Sequence, residues 1–312
     1  MSADFSTSQT IPPEIKRYLK GSDRAVGKTG KAGILRLKFE KDSLSGNTII
    51  KEQYSRVPLL AQRAMYLEET IPAMAYVYIV SPSGGILQGD RYLIDITSRN
   101  KTFAHVTTQG ATRIYKMENN YASQTINIKV EEESYFEYIP DQIIPFRNSR
   151  FYQEVHLNVH ENATMIYSEV IVPGRVASGE AFEYDICYIK TVGKNQLGRT
   201  RFIDTLKLEP RTENLRGKSK INFGNLHVVG TIYIITKQSF VNDLYQKIVK
   251  KITLFETKGK LSGGASILPA RQGIMVRILS RSSEDVKTII FELISITRKQ
   301  IIGASFSGLR KA

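Results

Sequence analysis

The chain has 312 residues, 41% hydrophobic and 24% charged, so it can bury the core of one large domain or two ordinary ones. Lys and Arg number 44 against 30 Asp and Glu, a net charge of +14, which speaks to solubility and acidic partners rather than to fold. A single cysteine, Cys187, excludes an internal disulfide framework; no Cys-x-x-Cys offers a structural zinc site, and no apolar run approaches the ~20 residues that span a bilayer.

Residues 1–30 are polar, with Pro12-Pro13 and several glycines, and are expected to form a flexible N-terminal tail with one helical turn around Glu14 to Leu19. They lack the charged-then-apolar order of a signal peptide, so the expected compartment is the cytoplasm. "GSDRAVGKT" in this tail imitates a Walker A loop. Five residues rather than four separate Gly21 from Gly27, no strand precedes it, and Gly30 and Gly33 would spoil the helix that must follow.

From Ile34 the period is two. "ILRLKF", "YLIDIT", "TINIKV" and "EVHLNVH" alternate apolar and polar residues, and "MIYSEVIV", "EYDICYI" and "HVVGTIYII" continue the series. Alternation places successive side chains on opposite faces, so these segments predict half-buried strands in a mostly β architecture. Two segments break the period. "SFVNDLYQKIVKKITLF" places Val241, Leu244, Tyr245, Ile248, Val249, Ile252 and Phe255 on one helical face. "SSEDVKTIIFELISITRKQIIG" does so with Val286, Ile289, Ile290, Leu293, Ile294 and Thr297. A serine caps it, Glu284 and Asp285 fill the first turn, and Arg298 and Lys299 meet the dipole at the end. The chain thus predicts a long run of strands followed by two helices in the last quarter, one domain over 31–312. The stretch 209–225 predicts a mobile basic excursion.

No Gly-x-Ser-x-Gly elbow and no His-Glu-x-x-His is present, so no catalytic residue is expected. His156 and His160 have the i, i+4 spacing of a helical metal pair but lie in a strand. There they stand roughly 13 Å apart, too far for bonds of about 2.1 Å to one ion. They share a face with Glu154 and Asn158, expected to be the solvent face. Cys187 alternates within a strand and reads as a buried inert thiol. "SPSGGILQGDRYLIDI" looks like a phosphate loop, yet it leads into a strand rather than a helix N-terminus. Its glycines predict a tight turn with Asp90 at a strand edge. In "YFEYIPDQIIPFRNSRF", Pro140 and Pro145 should end pairing, and Ile143, Ile144 and Phe146 are expected in the core. The basic residues are scattered, with no zinc-finger, RNP or helix-turn-helix signature.

Several ordered blocks carry a family likeness. They are Gly84-Gly85, Gly89-Asp90-Arg91 and Asp95; Thr107-Thr108-Gln109, Ala111, Arg113 and Tyr115; Glu137, Pro140, Ile144-Pro145-Phe146 and Arg150-Phe151; and Gly174-Arg175, Gly179-Glu180 and Phe182. In this pattern the chain resembles the urease accessory proteins UreD, also called UreH, over about residues 34–303. Tyr138 stands where the family has tryptophan, Asp141-Gln142 where it has Gln-Glu, Gly110 for alanine and Arg113 for lysine.

The resemblance implies a β-solenoid-like stack of short strands with two helices, and a non-enzymatic nickel metallochaperone. It implies UreF as direct partner, the GTPase UreG through UreF, and apo-urease as client, and allows a homodimer within that complex. No nucleic acid, membrane or tightly bound cofactor is implied; nickel is cargo in transit. The carboxylates of the matching blocks and the adjoining strand, Asp90, Glu137, Asp141, Glu169 and Glu180, are the candidate transit ligands. The remaining motif positions are candidates for partner binding. Turn caps or salt bridges are the competing roles for the same carboxylates. From the residues alone, a basic β-rich binder of nucleic acid or an acidic protein stays open as the alternative.

Overall fold

The computed structural model describes residues 11–19, 30–210, 226–306 and 308. A one-turn helix α1 (Pro13–Lys16) precedes β1 (Ala32–Lys41), β2 (Thr48–Arg56), β3 (Leu60–Ala61), β4 (Ala75–Val80), β5 (Arg91–Ser98) and β6 (Phe103–Thr108). Next come β7 (Thr112–Ile114), β8 (Ala122–Val130), β9 (Tyr135–Tyr138), β10 (Ile143–Pro145), β11 (Arg150–Val159) and β12 (Thr164–Ile171). After β13 (Ile186–Lys194), β14 (Thr200–Leu208) and β15 (Val228–Ile235) the chain forms α2 (Gln238–Thr257), β16 (Leu261–Ile267), β17 (Gly273–Ser280) and α3 (Ser283–Ile301).

Two sheets result, ordered β14-β13-β11-β8-β5-β1-β2 and β16-β17-β15-β12-β9-β6-β4-β3, with β7 and β10 paired alongside the second. From β4 to β12 the chain steps from one sheet to the other and back, and equivalent strands of successive passes pair in parallel. The side-chain contacts Asp95–Asn127, His105–Glu137 and Thr107–Ile139 each join residues 32 apart, one coil of the stack. This is a β-solenoid-like architecture, as expected. Antiparallel strands close it at both ends: β2 and β14 on the first sheet, β15 to β17 on the second.

The two sheets differ on their outer faces. The first is open to water, so β5 alternates buried and half-buried residues. The outer face of the second is covered by α2 and α3. Accordingly β12 and β15 are buried at every position, which corrects the half-buried expectation for "MIYSEVIV" and "HVVGTIYII". Between the sheets lies one core, including Ile94, Ile126, Val155, Tyr167 and Tyr233. Between the second sheet and the helices lies another, including Ile166, Ile232, Leu244, Ile290 and Leu293. Gly230 permits that packing, since a Cβ there would lie 2.6 Å from Val286 Cγ1. Both helices fall where the 3.6-residue period puts them, and Ser282 caps α3 by accepting from Glu284 N–H.

Ile15 of the expected tail is fully buried among Tyr121, Tyr152 and Ile186. Residues 1–10 and 20–29 of that tail, and residues 211–225 of the basic excursion, lie outside the described residues. Pro145 does not stop pairing short of itself. It is the last residue of β10, in register with Ile114. His156 and His160 are half-buried rather than exposed, and their neighbour Glu154 is buried, held by Lys190.

Candidate functional site

The block around Gly84-Gly85 forms a corner of the solenoid. Gly84 and Gly89 adopt positive φ. Gly85 presses on Tyr115, where a Cβ would come within 2.4 Å of the ring. Asp90, 1% exposed, pins this corner by accepting from Lys31 N–H at 2.8 Å, Leu87 N–H at 2.9 Å and the Tyr92 hydroxyl at 3.1 Å. Arg91 reaches the next coil, donating to the Tyr121 carbonyl and stacking on its ring. The Thr107 hydroxyl donates to the Ile139 carbonyl and the Thr108 hydroxyl accepts from Asp141 N–H, tying the following corner. Gln109 N–H donates back to the Ile79 carbonyl.

These corners rim a cavity of about 250 Å³ that opens between the two sheets. Its mouth is formed by Gly84, Gly85, residues 108–113, Pro140 and Asp141. Its floor is polar: Gln124 donates to Gln153, and Gln153 sits 3.3 Å from the Tyr167 hydroxyl and 3.4 Å from Glu169. The Tyr167 hydroxyl donates to Glu169 at 2.9 Å. Burial pushes the Glu169 carboxyl up to about 7, against the opposing pull of the Tyr167 hydroxyl. Such a group is within reach of either charge state near neutrality, while two amides and a phenol supply neutral oxygen and nitrogen donors beside it.

Glu137 occupies the opposite face of the second sheet. The buried Arg298 of α3 grips it with two hydrogen bonds of 2.7 Å, and His105 Nδ1 lies 2.6 Å away. Arg298 also pairs with Glu68 and lies over the Phe306 ring. Burial opposes ionisation of Glu137, but the guanidinium outweighs it and holds the carboxyl at about 2. Burial lowers His105, so its imidazole favours the neutral form.

Glu180 is bound by Arg175, whose guanidinium lies 4.3 Å from the Phe146 ring centre, and by Arg147 N–H. Pairing with Arg175 lowers its carboxyl. Gly179 takes the left-handed conformation in this turn. Gly174 lets Glu180 and Pro145 carbonyls approach within 2.8 and 3.3 Å of where a Cβ would sit. Of the five candidate carboxylates, the fold therefore brings Asp141 and Glu169 to one cavity. It commits Asp90 to a corner, Glu137 to the helix contact and Glu180 to a turn. No three described His, Cys, Asp or Glu side chains gather into a closed metal centre. No described helix is long and apolar enough to cross a membrane. Cys187 is fully buried and unpaired, and burial pushes its thiol up.

Comparison with known proteins decides the family. The model of the UreD urease accessory protein matches residues 31–311. The chain belongs to the UreD urease accessory protein family. A urease accessory protein UreD of Cenarchaeum symbiosum is 42% identical over 286 residues, covering 92% of this chain and 98% of the relative. Urease accessory protein UreD 2 of Brucella suis is 37% identical over 282 residues, 90% of this chain and 91% of its own. A UreD of Photorhabdus laumondii is 34% identical over 296 residues, 94% and 90% of the two chains.

Within this UreD-family chain, sequence reasoning missed Arg298 and the cavity glutamines. Arg298 reads as a dipole-matched surface charge, yet it is fully buried. Its signal was spacing: it continues the row Ile290, Ile294 at steps of four. Gln124 and Gln153 share strand parity with the inward Ile126 and Val155. A polar residue at an inward strand position is the mark of a lined cavity.

Proposed function

We propose that this chain is a nickel metallochaperone scaffold that takes part in activation of apo-urease, working in the cytoplasm with UreF and, through UreF, the GTPase UreG. On this reading residues 31–312 act as one unit and perform no catalysis of their own; GTP hydrolysis belongs to the partner. The observation that carries the reading is Glu169. It is a buried carboxylate at the floor of an open cavity, and among the described residues its hydrogen bonds come from neutral donors, the Tyr167 hydroxyl and the Gln153 amide. Carboxylate, amide and phenol groups bind a divalent cation loosely enough to release it, which transit requires. Asp141 at the rim offers the second carboxylate. Asp90, Glu137 and Glu180 are engaged by protein donors and serve the scaffold. The surrounding corner residues, among them Gly84, Thr108, Gln109 and Pro140, shape the mouth against which a partner would seat.

The test is urease activation reconstituted from purified apo-urease, UreF, UreG, nickel and this chain. Glu169→Gln keeps the shape and removes the charge. It is expected to lower the yield of active urease roughly tenfold while the complex with UreF still forms on a sizing column. Full activation by that variant would sink the role of the cavity.

A further inference from the structure

Among the described residues the two sheets present four edge strands, β2 and β14 on the first and β3 and β16 on the second. An unpaired edge offers its N–H and C=O groups to any strand that comes alongside, and proteins blunt it with charge, a bulge or shortness. Three of these edges are blunted. β2 carries Lys51 and Glu52, both exposed, and its pairing with β1 slips register between Lys38 and Phe39. β14 carries Arg201, Asp204 and Lys207, and its pairing with β13 slips between Gly193 and Lys194. β3 has two residues.

β16 has none of these devices. "LSGGASI" contains no charge and no proline, and its register with β17 runs unbroken from Leu261 to Ile267. Leu268 N–H reaches the Gly273 carbonyl, so the even-numbered residues bond toward β17. Gly263, Ala265 and Ile267 therefore aim their backbone groups outward. Gly263 N–H is capped at 3.0 Å by the exposed carboxylate of Glu256 from α2; Ala265 and Ile267 N–H have no such cap among the described residues. Leu261 and Ala265 pack toward the helices, while Ser262, Gly264 and Ser266 are exposed on the other face.

The strand is nearly the same sequence read backwards. Laid antiparallel on a second copy with Gly264 facing Gly264, it sets Gly263 against Ala265, Ser262 against Ser266 and Leu261 against Ile267, on both sides of the axis. The outward-bonding residues then face one another, and each such pair exchanges two hydrogen bonds. Ile267, 36% exposed, is covered by Leu261 of the second copy. No bulky or charged side chain of the strand stands at the axis. We propose that β16 is a self-pairing edge, through which two copies of this chain join their second sheets about a two-fold axis at Gly264. Glu256 occupies the place of the incoming Ala265 carbonyl, so pairing displaces it, and the contact is weak and reversible. The contact asks nothing of the cavity and stands whether or not a cation passes there.

Sedimentation equilibrium of the purified full chain is the first test. A single edge-to-edge contact is small, so the expected dimer has a Kd of about 10–100 μM. A Cβ on Gly264 meets nothing within 4 Å in the single chain, so substitution there spares the fold. Gly264→Lys and Gly264→Glu each place like charges across the axis and should weaken the dimer about fivefold or more, and an equal mixture of the two should restore it. Glu256→Ala removes the competing cap and should tighten it about threefold. A second measurement fixes the register. Facing residues of a non-hydrogen-bonded pair lie about 4.5 Å apart at Cα, within disulfide reach. Gly264→Cys should cross-link to itself under mild oxidation, whereas Ser262→Cys, which faces position 266, should not. Cys187 is buried and does not interfere. A chain that stays monomeric at ~1 mM, a dimer indifferent to Gly264→Lys, or cross-linking as fast at position 262 as at 264 overturns the proposal.

Discussion

Glu137 and Glu169 are both glutamates in the interior of the second sheet, and they have opposite fates. Glu137 faces the helices, where Arg298 and His105 meet both its oxygens. Glu169 faces the cavity, where a tyrosine hydroxyl and a distant amide are its partners among the described residues. One is held ionised at about 2 and the other lifted to about 7. Burial acts on both in the same direction; the guanidinium makes the difference. A buried carboxylate with a matched cation is a fastener. One left with neutral donors keeps capacity for a cation from outside.

The largest expected effect breaks the fastener. Arg298→Met leaves Glu137 and Glu68 buried without their cation and should cost about 3–5 kcal/mol in urea unfolding. A change below ~1 kcal/mol would mean that α3 is anchored by its apolar face alone. Next, the glutamine variants should separate the two positions. Glu137→Gln should destabilise by about 2 kcal/mol or more, while Glu169→Gln should lie within ~1 kcal/mol of wild type or be more stable. Equal losses at both positions would erase the contrast.

Acid provides the third comparison. The folded value of Glu137 lies below its ordinary 4.5, so its contribution is complete above that pH and is lost as pH falls toward about 2. Urea midpoints of wild type should drop across that window more steeply than those of Glu137→Gln. The smallest effect has the opposite sign. Glu169 lies above 4.5 in the fold, so its contribution is complete below 4.5 and is lost as pH rises through about 7. Midpoints between pH 4.5 and 7 should fall more in wild type than in Glu169→Gln. Parallel curves would place Glu169 in contact with water or a cation that offsets its burial.

Much of the scaffold was legible along the chain. Alternation marked β1, β5, β8 and β11, because one face of their sheet meets water. The period of 3.6 and the serine cap marked α3. The site was legible only as pieces. Asp141 and Glu169 belong to different coils, and nothing local distinguishes Glu169 from Glu137. The inward parity of Gln124 and Gln153 was present in the sequence, but it acquires meaning only once the opposing sheet is known.

By itself, then, the sequence determined the strand and helix periods, the corner glycines, the aspartate that pins a turn, and the blocks that mark the family. These depend on neighbours within a few residues, where backbone geometry and side-chain direction are set locally. The tertiary structure alone decided which carboxylate meets Arg298, 161 residues away, and which is left facing a cavity. It also decided that Asp204 closes on Arg277, 73 residues away in the other sheet. Charge pairing and desolvation act through space, and in a stacked coil the nearest neighbours in space are a full turn apart in sequence.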